Sequence, residues 1–239
     1  MMERLNKSAI VQKSLEVTDE LIEEIKKYSL TDEIDREKLF VFRVALCHND
    51  IDRDFEAFSL DSLNKLAELF IGKTGIEDHS MRSSTQIARA VKTEVVIDDS
   101  RLTKYGEPYA RLEAVAYMVK TPSNEDLITE IQMGIRKEVS VACAIADPVC
   151  SICGKNMRFN RCEHKRGAEY DGQICYTKLE NPTDAYEWSF VAVPAQVGAG
   201  TTKNADINFR QPYPEACEVD NKEKSIKSTL IRALSLKEE

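Results

Sequence analysis

A carboxylate, an imidazole and a hydroxyl stand in this chain where each could do chemistry. Glu187 heads the apolar run in DAYEWSFVAVPAQVGAG, residues 184–200. Strand alternation puts Glu187, Ser189, Val191 and Val193 on one face and Tyr186, Trp188, Phe190 and Ala192 on the other. A carboxylate among such neighbours is costly to desolvate unless it has a partner. Upstream, the candidates are His79 in GIEDHS and Ser140 in KEVSVACAI. Acid, imidazole and hydroxyl are the parts of an acyl-transfer triad, because a serine needs a base to take its proton and the base needs a group that orients it. Glu138, Ser140, Ala142 and Ala144 share a strand face whose small side chains leave room for a substrate backbone. Of the three histidines, His164 lies among cysteines and His48 in a strand-to-loop turn, which leaves His79 as the base. Arg82 and Arg89, in and after the loop that follows His79, are candidates for a supporting charge at an oxyanion site.

The sharpest spacing belongs to the cysteines. Cys150 and Cys153 form C-x-x-C with Gly154 behind it, and Cys162 and His164 add two soft donors two residues apart. Cys150, Cys153, Cys162 and His164 would complete a closed tetrahedral zinc site, with Cys175 as the rival fourth ligand. The surrounding loop has little apolar content, so a metal would serve it as a structural staple. A redox reading lacks its βαβ context. A deaminase reading lacks H-x-E, since His48 is followed by Asn-Asp and His79 by Ser-Met. A closed set of four ligands also leaves no open position for a zinc hydrolase.

These groups need a scaffold. Residues 39–47 read as a first strand with Phe40, Phe42, Val44 and Leu46 on one face. Thr18 and Ser59 read as N-caps of two helices, the second burying Leu60, Leu63, Leu66, Ala67 and Phe70. The stripe Leu21, Ile22, Ile25 and Tyr28 on the first is expected to dock on the core. Residues 87–97 and 109–119 read as an antiparallel pair around Gly106 and Pro108, Ser123 as the cap of a third helix, and 137–146 as the strand carrying Ser140. The acids of HNDIDRDFEAF lack the spacing of a calcium loop and read as a solvated turn. The pattern predicts a mainly β, α+β fold: a small antiparallel barrel (38–202) with helices outside and a zinc-binding insertion at 148–176. An acidic extension (1–37) precedes it, and a polar tail (203–239) with a helix at 222–236 follows.

Composition excludes several classes. A net charge of −8 over 239 residues argues against a nucleic-acid surface. The N-terminus shows no apolar signal region and no segment approaches a membrane span, so an intracellular protein with reduced or metal-bound thiols is expected from the seven cysteines.

In their order along the chain, His79 after an Asp and before a polar loop, the strand IARAVKTEVV, Ser140 in EVSVA and Glu187 in YEWSFVAVPAQVGAG resemble the tailed-phage prohead (capsid maturation) proteases, which have the herpesvirus-assemblin fold. The resemblance spans about Phe40 to Gly200; the cysteine-rich insertion and the additional residues at both ends depart from the short phage members. It implies Ser140 as nucleophile, His79 as general base and Glu187 as third member, with His48 an alternative because the herpesvirus relatives use a second histidine there. It also implies a serine endopeptidase that cuts scaffold or a scaffold-like segment of the major capsid protein, and itself, inside an assembling procapsid in the bacterial host cytoplasm. A homo-oligomer, expected to be a dimer, comes with the resemblance. The alternative reading is a catalytically silent scaffold or capsid-assembly protein that keeps the zinc staple.

Overall fold

The computed structural model describes residues 15–160 and 162–202; the expected helix at 222–236 lies outside them. β1 (Leu39–His48) is buried along almost all of its length, so both of its faces need cover. Phe40, Phe42, Val44 and Leu46 face the main core, while Leu39 and Val41 meet a second cluster with Val91, Ile22 and Ile25. The last two lie on α1 (Asp19–Lys26), which Thr18 caps by accepting the Leu21 N–H. The apolar stripe of this helix docks on the sheet, as expected.

β2 (Glu56–Phe58) leads into α2 (Leu60–Phe70), where the Ser59 side chain accepts the Ser62 N–H. Leu63, Leu66 and Phe70 are buried; Leu60 sits in the first turn and stays partly exposed. β3 (Thr74–Glu77) follows, then the long hairpin of β4 (Ala88–Leu102) and β5 (Pro108–Val119), which turns at Gly106 with φ +89°. α3 (Glu125–Gln132) starts from Asn124, not from the expected Ser123. The Asn124 side chain does not cap the helix; it accepts from Thr121 N–H and donates to Val119 C=O.

β6 (Val139–Cys150) runs from the candidate nucleophile to the first cysteine of the cluster. The insertion carries a small hairpin, β7 (Glu169–Tyr170) and β8 (Gln173–Ile174), before the long β9 (Thr177–Phe190) and the short β10 (Gly200–Thr202). Eight strands form one sheet in the order β10-β1-β5-β4-β3-β9-β2, with β6 also on β9. Most pairings are antiparallel; β2 and β3 run parallel to β9. The fold is therefore mixed α/β, dominated by strands, with three α-helices among the described residues.

The expected barrel does not close. β6 and β10 meet at the Glu138–Gly200 bridge and through Val139 N–H donating to Ala199 C=O. The chain between β9 and β10, residues 191–199, crosses the gap in bends and turns and offers β6 no ladder. The described residues include no helix long and apolar enough to cross a membrane.

Candidate functional site

β9 lies between β6 and β3, and its register builds the site. Ser189 stands opposite Ser140 on β6 and Ile76 on β3; Glu187 stands opposite Ala142. Directly paired residues point to the same side of a sheet, so Ser140, Ala142, Glu187 and Ser189 share one face. The other face, with Val139, Trp188 and Phe190, closes the core against Phe42. A bulge between Ala142 and Cys143 leaves Tyr186 unpaired and turned outward, half exposed. The alternation expected for 186–193 therefore holds from Glu187 to Phe190, breaks at Tyr186, and stops at Phe190, where β9 ends before Val191, Ala192 and Val193.

His79 arrives on this face because the chain reverses directly after β3. Asp78 and His79 both adopt left-handed backbone, with φ +50° and +52°, a conformation costing roughly 1 kcal/mol or more per non-glycine residue. Specific bonds hold it there: Asp78 N–H donates to Phe190 C=O at 3.0 Å, and His79 N–H donates to Ser189 Oγ at 2.8 Å. The His79 ring then places Nδ1 2.7 Å from Glu187 Oε1. With Nδ1–H donating to the carboxylate, Nε2 keeps its lone pair. The imidazole is partly open to solvent, whereas Glu187 is buried at 1 % exposure, and its second oxygen, Oε2, is buried without a partner.

Ser140 is half buried on this face, and its hydroxyl has no hydrogen-bond partner among the described residues. Glu187 and His79 are thus joined, Ser140 lies on the same face across from Ser189, and no hydrogen bond links Ser140 to His79. Beside Ser140 is a cavity of about 370 Å³ whose wall includes Val141, Ala142 and Cys143 of β6, Phe58, Leu179 and Tyr186. Asp52, Asp54 and Glu56 stand at it from the loop before and the start of β2. The solvated turn expected over 48–58 holds only at 53–55: Asp52 Oδ1 accepts the N–H groups of Asp54 and Glu56, whereas Asp50 is buried and accepts the Ile51 and Lys104 N–H groups.

His48 serves elsewhere. Its Nδ1 accepts the Asp50 N–H, its Nε2 lies 3.1 Å from Val197 C=O, and its backbone exchanges two hydrogen bonds with the Gln196 side chain. Burial lowers its pKa to about 4, so the ring is neutral. Arg89 is also engaged, donating to Gly72 C=O and lying over the Tyr28 ring. Two residues not singled out in the sequence support the site. Ser189 holds the His79 backbone, and Arg136, just before β6, pairs with Glu77 at 2.5 Å and Glu130 at 2.6 Å, tying the end of β3 to α3. The alternation of β9 put Ser189 beside Glu187; nothing in sequence spacing pairs Arg136 with Glu77.

The second constellation closes beyond the far end of β6. The donor atoms of Cys150, Cys153, Cys162 and His164 all lie within 4.8 Å of one another and could hold a metal ion. Cys153 and Cys162 sulfurs are 3.5 Å apart, Cys162 Sγ and His164 Nδ1 3.4 Å, Cys150 Sγ and His164 Nδ1 3.8 Å. Around a zinc with bonds near 2.3 Å, tetrahedral donors are about 3.8 Å apart, so the spacing fits. Burial works to raise the Cys150 thiol, but hydrogen bonds from Cys153 and Ile152 N–H groups and neighbouring thiols lower it to about 7. The Lys155 N–H likewise lowers Cys153. Backbone amides thus favour the thiolate at Cys150 and Cys153, whereas burial raises the Cys162 thiol to about 11. Cys175, the rival ligand, lies 3.9 Å from Cys150 but outside the group of four.

No protein-family model, no curated protein and no solved structure matches this chain.

Proposed function

We propose that this protein is a serine endopeptidase of the prohead-protease type. The observation that carries the reading is the 2.7 Å bond from His79 Nδ1 to the buried Glu187 carboxylate, on the face that also presents Ser140. Ser140 Oγ attacks the scissile carbonyl as His79 Nε2 takes its proton; His79 then returns that proton to the leaving amine. Water repeats the cycle on the acyl-enzyme. Glu187 fixes the ring tautomer and stabilises the imidazolium. Nucleophile and base are often farther apart in a free enzyme than in the substrate complex, and closure of the Ser140–His79 gap belongs to substrate binding. The substrates are a scaffold or scaffold-like segment of a major capsid protein and the chain itself, within a procapsid in a bacterial host; the enzyme works as a dimer. Zinc is the metal of the Cys150, Cys153, Cys162 and His164 set, and its role is to staple the insertion.

The free Ser140 hydroxyl favours one other reading, a catalytically silent assembly protein on the same fold. A fluorophosphonate probe separates the two. The protease should be labelled at Ser140, and labelling and self-cleavage should disappear in Ser140→Ala and fall almost as far in His79→Ala. Absence of labelling in the folded wild-type chain would decide for the silent protein. Metal analysis of freshly reduced protein should find about one zinc per chain, lost in Cys153→Ser.

A further inference from the structure

Ser140 and Cys150 lie on the same strand, and the insertion that follows Cys150 folds back onto the wall of the Ser140 cavity. Arg166, two residues beyond His164, places Nη1 2.6 Å from Glu56 Oε1, and the same atom reaches Asp54 C=O at 3.5 Å. Gly167 lies flat against the Phe55 ring: a Cβ there would stand 2.8 Å from ring carbons. Phe55 itself has left-handed backbone, φ +55°, and its carbonyl accepts the Thr177 N–H from the start of β9. The 52–56 loop, with Asp52, Asp54 and Glu56 at the cavity, is thereby gripped by the insertion on one side and β9 on the other.

We propose that a metal ion held by Cys150, Cys153, Cys162 and His164 sets the shape of the cavity beside Ser140, acting through Arg166 and Gly167 on the 52–56 loop. The meaning of this coupling for substrate selection rests on the protease reading above; its readout rests on metal binding alone. Without the ion, the 150–167 segment loses the ligands that close it and has little apolar content of its own to hold a conformation. Arg166 and Gly167 then leave Phe55 and Glu56, and the strained loop relaxes away from the cavity. An exposed Arg–Glu pair alone is worth little, so the metal, which fixes the backbone on which Arg166 sits, is the controlling element. In the loaded protein the 52–56 loop is held at the cavity; in the metal-free protein the cavity opens.

Cys143 reports on this directly. It lines the cavity, is half buried, and burial raises its thiol to about 11. Cys47, buried in the core at 1 % exposure, is the internal control for global unfolding. The experiment treats full-length protein with iodoacetamide, with zinc bound and after chelation, and follows alkylation residue by residue by mass spectrometry. Chelation should accelerate Cys143 by about tenfold while Cys47 stays protected, as expected for local opening. Arg166→Ala with zinc retained should accelerate it about threefold and should add little once the metal is gone, because the two changes act on one linkage. Equal Cys143 rates with and without metal would overturn the proposal. So would acceleration of Cys47 in step with Cys143, since the metal would then hold the whole fold and not the cavity. If Cys143 responds as stated but Ser140 takes no fluorophosphonate, the coupling stands and the protease reading falls.

Discussion

Ser189 does more than its side-chain type announces. It is fully buried, and its single oxygen accepts the N–H of a histidine held in left-handed backbone. Without that acceptor, the donor would be left in a site where an unpaired polar group costs about 1–3 kcal/mol. The strain at Asp78 and His79 is thus balanced by bonds to the strand that carries Glu187, so backbone and side chain of His79 are fixed by neighbours two residues apart. His48 shows the contrasting case of an imidazole with a purely structural role. Its folded pKa, about 4, lies below its ordinary 6.5 because of burial. Between these values the unfolded chain binds the proton and the folded one does not, so stability rises with pH across the window and is lost as pH falls through it. The shift corresponds to about 3 kcal/mol, lost progressively from pH 6.5 down to 4. Urea unfolding at a series of pH values should show this slope, and His48→Gln, which keeps an N–H for Val197 C=O, should flatten it. An equal slope in the variant would assign the acid sensitivity to other groups.

Among elements, those governed by local chemistry were legible, the Ser123 cap excepted. Thr18 and Ser59 cap the helices expected of them, and the β4–β5 hairpin turns at Gly106, because a cap or a turn depends on a few adjacent residues. The acid–imidazole–hydroxyl set and the four metal donors were legible as residue types, and the structure brings His79 to Glu187 and the four donors to each other. What was not legible depends on distant partners. The bulge that turns Tyr186 outward answers to β6, the start of β9 at Thr177 answers to β2, and the open seam between β6 and β10 answers to the path of 191–199. β3 shows the same dependence at one residue. Gly75 lies opposite Trp188, and an added Cβ would stand 2.4 Å from the indole ring. Trp188 is buried at 0 % exposure and packed against Phe42 and Phe190, so it has little room to retreat. Gly75→Ala should therefore cost about 1–3 kcal/mol, the range for overpacked cores, read as a lower urea midpoint. Displacing β3 also displaces His79, so fluorophosphonate labelling of the remaining folded protein should slow as well. Wild-type stability in Gly75→Ala would show that the indole moves aside without strain.

At the scale of the whole molecule, the question is where the folding unit begins. The acidic character of residues 1–37 reads as an appendage, and removal of everything before Lys38 would be harmless if it were one. The packing argues otherwise. Ile22 and Ile25 of α1 are buried at 6 % and 2 % exposure against Leu39, Val41 and Val91, and Leu15 N–H donates to Val41 C=O. β1 is the strand that needs this cover: its Leu39–Val41 face would otherwise meet water beneath a sheet whose other side is already closed by the main core. Two buried isoleucines contribute about 3–6 kcal/mol by transfer from water, a large share of the 5–15 kcal/mol that holds a typical domain folded. The chains that test this are residues 15–202 and residues 38–202. A chain of residues 38–202 should lose about 3–6 kcal/mol and bind a hydrophobic dye such as ANS at the bared Val41–Val91 surface. Both can be read from equilibrium unfolding curves beside dye fluorescence. Equal stability of the two chains would show that α1 rests on the sheet without supporting it, and would return residues before Lys38 to the status of an extension.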